Sequence, residues 1–166
     1  ARYVTPEMVV EAINSAKGGP VEQGCVGAGT GTICFDFKGG IGTSSRVLPE
    51  SLGGYTIGVI VQTNYGGVLE IDGVQVGQKL GEFDFKQHIP QAASLDGSCM
   101  MVVITDAPID ARNLERVAKR AMMGLAKTGG IASNGSGDYV IALSVAPENL
   151  LEDGKKTHTQ TLLDNG

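Results

Sequence analysis

The chain has 166 residues, long enough for one domain with a substantial core. Glycine supplies 25 of them, about twice the ~7% usual share, yet 42% of residues are hydrophobic and no tract repeats; this is a folded protein rich in tight turns. A net charge of −5 without a Lys/Arg cluster argues against nucleic acid or a polyanion as partner, and no apolar run approaches the ~20 residues of a membrane span.

Thr5-Pro6-Glu7 predicts a helix start, with Thr5 as cap and Pro6 at the first helical position. Val9, Ala12, Ile13 and Ala16 continue its apolar stripe to Lys17, and Gly18-Gly19-Pro20 stops it. Gly27-Ala28-Gly29-Thr30-Gly31 is a poor phosphate loop, because a dinucleotide site needs Gly-x-Gly-x-x-Gly between a strand and a helix and the sequel here is strand-like. Residues 32–38 and 41–48 read as two strands around Gly39-Gly40, a pair suited to a two-residue hairpin. Residues 55–63 form a third strand, with Asn64 at its end. Leu69-Glu70-Ile71 and Val74-Gln75-Val76, joined by Asp72-Gly73, make a small hairpin. Residues 77–97, with Pro90, read as an irregular loop of the kind that carries a processing site.

Cys99-Met100-Met101-Val102-Val103-Ile104 is the most strand-like run, and Asp96-Gly97-Ser98 stands directly before it. Asp110 caps a long helix with Leu114, Val117, Ala118, Ala121, Met122 and Leu125 on one face, ended by Gly129-Gly130. Residues 139–145 are the next strand, and residues 147–166 turn polar. The order is helix, several antiparallel-looking strands, helix, strand: an α+β fold with helices on the faces of a mainly antiparallel sheet, in a single domain over 1–166.

A serine at the mouth of a buried strand, behind a glycine that leaves the preceding carbonyl open, suits a self-cleaving peptide bond. Attack of Ser98 Oγ on the Gly97 carbonyl turns amide into ester, and water then leaves Ser98 with a hydroxyl and a free α-amine. That amine, of ordinary pKa about 8, can act as base for its own hydroxyl. A Gly-Ser turn before a strand is the plainer reading of the dipeptide alone. Two histidines, His88 and His158, without ligand spacing leave little for a zinc site or a Ser-His-Asp triad. Cys25, Cys34 and Cys99, odd in number and without CxxC spacing, are expected to be buried free thiols in a reducing compartment, so a cytoplasmic location is expected. The loop Ala132-Ser133-Asn134-Gly135-Ser136-Gly137-Asp138 places two hydroxyls, an amide and a carboxylate on glycine joints, although taken alone a polar turn with Asp138 satisfying backbone donors is the plainer reading. Asn64 offers an amide to a developing oxyanion, or is a turn former.

Four segments lie in the same order as in a known family: Phe37-Lys38-Gly39-Gly40-Ile41-Gly42-Thr43-Ser44-Ser45-Arg46, Val61-Gln62-Thr63-Asn64-Tyr65-Gly66, Gly97-Ser98 with the strand running to Thr105-Asp106-Ala107-Pro108, and the 132–138 loop. They resemble the L-aminopeptidase/D-esterase (DmpA-like, peptidase family S58) and β-aminopeptidase group. The resemblance implies an αββα sandwich of the type shared with ornithine acetyltransferases, and a self-processed serine aminopeptidase or amidase of the N-terminal-nucleophile kind. Cleavage at Gly97-Ser98 would divide the chain into a 1–97 segment and a 98–166 segment. Ser98 would be the nucleophile and Asn64 an oxyanion ligand. Ser136 matches the family's second serine, and Asp138 its acidic residue, one methylene shorter than the glutamate of some relatives. The implied substrates are small peptides, amides or esters, with no cofactor, no metal, no nucleic acid, no membrane partner and a homo-oligomer of processed units. Family members carry further segments before residue 1 and after residue 166, so either this chain is a fragment or much of the protein lies outside it. Acyl transfer on the same fold, with threonine as the usual nucleophile, and an uncleaved non-catalytic homologue are the alternatives.

Overall fold

A computed structural model describes residues 3–83 and 97–164. Helix α1 (Pro6–Asn14) starts as predicted: the Thr5 side chain accepts a hydrogen bond from the Met8 N–H at 3.4 Å, and Pro6 opens the first turn. It ends before Lys17, and its apolar stripe lies exposed. A short 3-10 turn at Gly27–Gly29 leads into β1 (Ile33–Cys34) and β2 (Phe37–Lys38), which pair with each other. β3 (Gly40–Val47), β4 (Thr56–Asn64), β7 (Ser98–Thr105) and β8 (Tyr139–Ser144) form the main sheet in the order β3-β4-β7-β8. Between β4 and β7 stand β5 (Glu70–Ile71), β6 (Val74–Gln75) and α2 (Val76–Leu80). Helix α3 (Ala111–Lys127) joins β7 to β8.

The hairpin expected around Gly39-Gly40 is absent. Its turn is Phe35-Asp36, inside the predicted first strand, with φ of 52° and 64°, and β3 pairs with β4. The two glycines answer to crowding: a Cβ on Gly39 would sit 2.7 Å from both Thr32 Oγ1 and the Thr63 carbonyl, and one on Gly40 would sit 2.5 Å from the Gly24 carbonyl. The Asp72-Gly73 hairpin forms as expected, with φ of 50° and 76°. Val76, expected to end its second strand, instead opens the one-and-a-half-turn helix α2, so residues 76–80 are not irregular; Pro90 and His88 fall outside the described residues.

β3, β4 and β7 run antiparallel, whereas β7 and β8 are parallel across the α3 crossover. Asp110 caps α3 through the Asn113 N–H at 2.8 Å. The predicted stripe of α3 packs against the sheet: Leu125, Ala121 and Met122 meet Cys99, Met101, Val61, Tyr65 and Val140. β7 therefore alternates. Cys99 and Met101 are 0% and 4% exposed beneath the helix, while Met100 and Ile104 on the other face are 36% and 40% exposed. Of the four-layer sandwich implied by the resemblance, the described residues form one helix layer on one sheet. No described helix is long and apolar enough to cross a membrane.

Candidate active site

Four elements end together at one edge of the sheet. β4 finishes at Asn64, β7 begins at Ser98, β8 begins just after Asp138, and β3 begins at Gly40. Antiparallel register sets Asn64 opposite Ser98, so their side chains share a face, the one α3 leaves uncovered.

Ser98 is half-buried and its hydroxyl donates to the Gly97 carbonyl oxygen at 2.6 Å. That same oxygen accepts the Gly137 N–H at 3.0 Å. Gly97 is needed for space, because a Cβ there would lie 2.9 Å from Tyr65 Cα and 3.0 Å from the Asn64 carbonyl. Gly137 is equally close to the nucleophile, a Cβ on it falling 3.4 Å from Ser98 Oγ.

The 132–138 loop turns back on itself through the Ser136 N–H, which donates to the Ser133 carbonyl at 2.8 Å. Ser136 Oγ donates to Asp138 Oδ2 at 2.8 Å, so the shorter aspartate does reach the second serine. With its proton committed to the carboxylate, the Ser136 oxygen presents lone pairs to its surroundings. Asp138 Oδ1 is, among the described residues, the buried side-chain oxygen left without a hydrogen-bond partner. Such an oxygen costs free energy until a donor arrives, and functional sites are where that cost is tolerated.

Asn64 accepts the Ile33 N–H on Oδ1 at 3.1 Å. A backbone N–H can only donate, which fixes the amide: its remaining end is the donor NH2. The sequence thus names the side chains gathered here, Ser98, Asn64, Ser136 and Asp138, but misses the main-chain donor of Gly137. The serine-glycine-aspartate spacing was the available hint, since a glycine between two polar residues lets the backbone approach.

The thiols differ from expectation. Cys99 is buried, Cys34 half-buried and Cys25 exposed, all free. Burial, followed by the nearby Asp138 charge and Cys34, pushes the Cys99 thiol up to about 12, so it stays protonated beside the candidate nucleophile. Burial likewise raises Cys34. A cavity of about 870 Å³ between the two hairpins is lined by Cys34, Lys38, Tyr65, Glu70 and Lys127 among others. Its lining includes Thr63 and Tyr65, which share the Cys99 side of the sheet, and leaves out Asn64 and Ser98; it is no part of this site.

The family model described as peptidase family S58 matches residues 1–165. The β-peptidyl aminopeptidase BapA of Sphingosinicella microcystinivorans is 42% identical over 163 residues, 92% of this chain and 41% of that protein. Among solved structures, a β-aminopeptidase from Burkholderia sp. superposes with a TM-score of 0.80 at 37% identity, covering 99% of this chain and 46% of that one. The L-aminopeptidase D-Ala-esterase/amidase of Ochrobactrum anthropi, described as a serine aminopeptidase and a variant of the Ntn hydrolase fold, gives 0.77 at 34% identity over 98% of this chain and 44% of that one. The fold is therefore that of the Ntn-hydrolase variant, and the chain spans less than half the length of these relatives.

Proposed function

This chain belongs to peptidase family S58, and from that premise we propose that it carries the nucleophile of a self-processing serine aminopeptidase or amidase. The observation that carries the reading is the Gly97 carbonyl oxygen, held between the Ser98 hydroxyl at 2.6 Å and the Gly137 N–H at 3.0 Å. A carbonyl so placed has the attacking oxygen on one side and a donor ready for the developing negative charge.

In processing, Ser98 Oγ forms a bond to the Gly97 carbonyl carbon and the π pair moves onto the oxygen facing Gly137 N–H. Collapse breaks the C–N bond, and the hydroxyl proton ends on the released α-nitrogen. Water hydrolyses the ester, giving a Gly97 carboxylate and regenerating the Ser98 hydroxyl, now beside a free amine. In turnover the neutral amine takes the Oγ proton as Oγ attacks the substrate carbonyl. The Asn64 NH2 stabilises the oxyanion, and as it collapses the Ser98 α-ammonium gives that same proton up to the leaving group, with the Ser136 oxygen, its own hydrogen held by Asp138, accepting from the ammonium and orienting it. Water then releases the acyl group.

The substrates are N-terminal residues of short peptides, amides or esters, the classes in which the named relatives act. Those relatives are peptidases, which does not favour the acyl-transfer alternative. Processed units are proposed to associate as a homo-oligomer of 1–97 and 98–166 segments. N-terminal sequencing of the full-length protein should return a chain starting at Ser98, and Ser98→Ala should remain uncut and inactive. A hydrolytically active, uncut protein would refute the reading. Activity should rise as the amine deprotonates around its ordinary pKa of about 8.

A further inference from the structure

Lys38 stands outside the site, yet its ammonium reaches three backbone carbonyls: Gly29 O at 2.8 Å, Thr32 O at 2.8 Å and Gly39 O at 2.7 Å. An ammonium has three N–H donors and no acceptor, so the group is fully used. The three carbonyls come from the 3-10 turn, from the residue before β1 and from the residue after β2, so one charge ties both ends of the hairpin to the turn beneath it. Thr32 O also accepts the Gly39 N–H at 3.0 Å.

The Thr32 carbonyl and the Ile33 N–H belong to one planar peptide group. At one edge of that group the Lys38 ammonium holds the oxygen; at the other the N–H donates to Asn64 Oδ1 at 3.1 Å. A peptide whose carbonyl bonds a cation is polarised and becomes a better N–H donor. The run Lys38 Nζ–H, Thr32 C=O, Ile33 N–H, Asn64 Oδ1 is thus continuous, and its last member decides which end of the amide faces Ser98.

We infer that Lys38 is a positioning residue for the reaction: through the 32–33 peptide it orients the Asn64 amide so that the NH2 meets the oxyanion. The inference rests on the proposed role of Asn64. Lys38 touches neither nucleophile nor substrate; without its charge the Thr32 carbonyl keeps only the Gly39 N–H, so the 32–33 peptide is less polarised and less firmly held, which misplaces the donor without removing it.

The test is a double-mutant cycle in the full-length, processed enzyme with Lys38→Met and Asn64→Ala. Lys38→Met keeps most of the stem and removes the donors; it should lower kcat by about 10- to 30-fold, short of the ~100-fold or more expected on losing an oxyanion donor outright, and leave KM within about twofold. In the Asn64→Ala background the same change should alter kcat by less than about twofold, because the group it orients is gone. Affinity for a peptide aldehyde, which forms a tetrahedral adduct with Ser98, should fall with kcat, while affinity for the released amino acid stays constant. Equal kcat losses in both backgrounds, or a loss confined to KM or thermal stability, would overturn the inference. If Lys38→Met does not fold, replacing Ile33 with its α-hydroxy acid removes the N–H and weakens the Thr32 carbonyl as an acceptor, breaking the same run at its middle; it should reproduce the kcat loss, and an unchanged kcat would overturn the inference. A kcat insensitive to Asn64→Ala would instead strike the underlying reading of Asn64.

Discussion

Ser98 and Cys99 are neighbours on β7 with opposite fates. The thiol, the stronger nucleophile of the two by chemistry, points under α3, fully buried and held protonated. The hydroxyl points to the uncovered face, at the end where β4 and the 132–138 loop converge. One residue of strand register decides which side chain is core and which is chemistry, because strand neighbours face opposite ways. Stability and reactivity are therefore divided across a single strand, with Asp138 the exception: it serves Ser136 and is also felt by Cys99.

The largest effect that tests this division is on folding. Met101→Ala, beneath α3, should cost about 2–5 kcal/mol by thermal unfolding while the kcat of the folded enzyme holds within about twofold. A kcat that collapses in step with stability would show that the two faces are not independent. Asp138→Asn should act the other way, lowering kcat by about 100-fold with a stability change under ~1 kcal/mol. It should also lower the Cys99 thiol in part, burial remaining the larger cause, read as an earlier onset of thiolate absorbance in an alkaline titration taken as the difference from Cys99→Ala; an unchanged onset would deny the electrostatic link.

Taken per pH unit, the smallest effect is a slope. Folded Cys99 ionises near 12, whereas an unfolded cysteine ionises at about 8.5, so the unfolded state alone releases its proton between these values. The fold should lose stability as pH rises through that window, by at most ~1.4 kcal/mol per pH unit, and keep the full contribution below it. Cys99→Ala should flatten the decline. An identical alkaline decline in the variant would place its cause elsewhere.

What the sequence made legible was local or carried by side chains. Thr5 and Asp110 announce their helices because a cap bonds within three residues, and Asp72-Gly73 announces its turn because that pair suits left-handed backbone. Gly39-Gly40 misled for the opposite reason: those glycines are imposed by distant backbone pressing on them, while the true turn uses Phe35 and Asp36, which carry no such signature. Ser98, Asn64, Ser136 and Asp138 became legible through the ordered match of their segments to a family, since each alone reads as well as a turn residue. The Gly137 N–H and the 32–33 peptide did not, since every residue but proline owns the same donor. The α1 stripe was read correctly as apolar, but nothing described covers it.

The ladder between β4 and β7 runs without interruption from Ile57 opposite Thr105 to Asn64 opposite Ser98. A nick after residue 97 would therefore leave two polypeptides sharing one sheet, β3 and β4 belonging to one and β7 and β8 to the other. Cross-strand pairing, rather than a covalent link, would then keep the new amino terminus in place. Such an enzyme should migrate as two bands under denaturing electrophoresis and as one body in solution, and its halves should come apart only when the sheet itself melts.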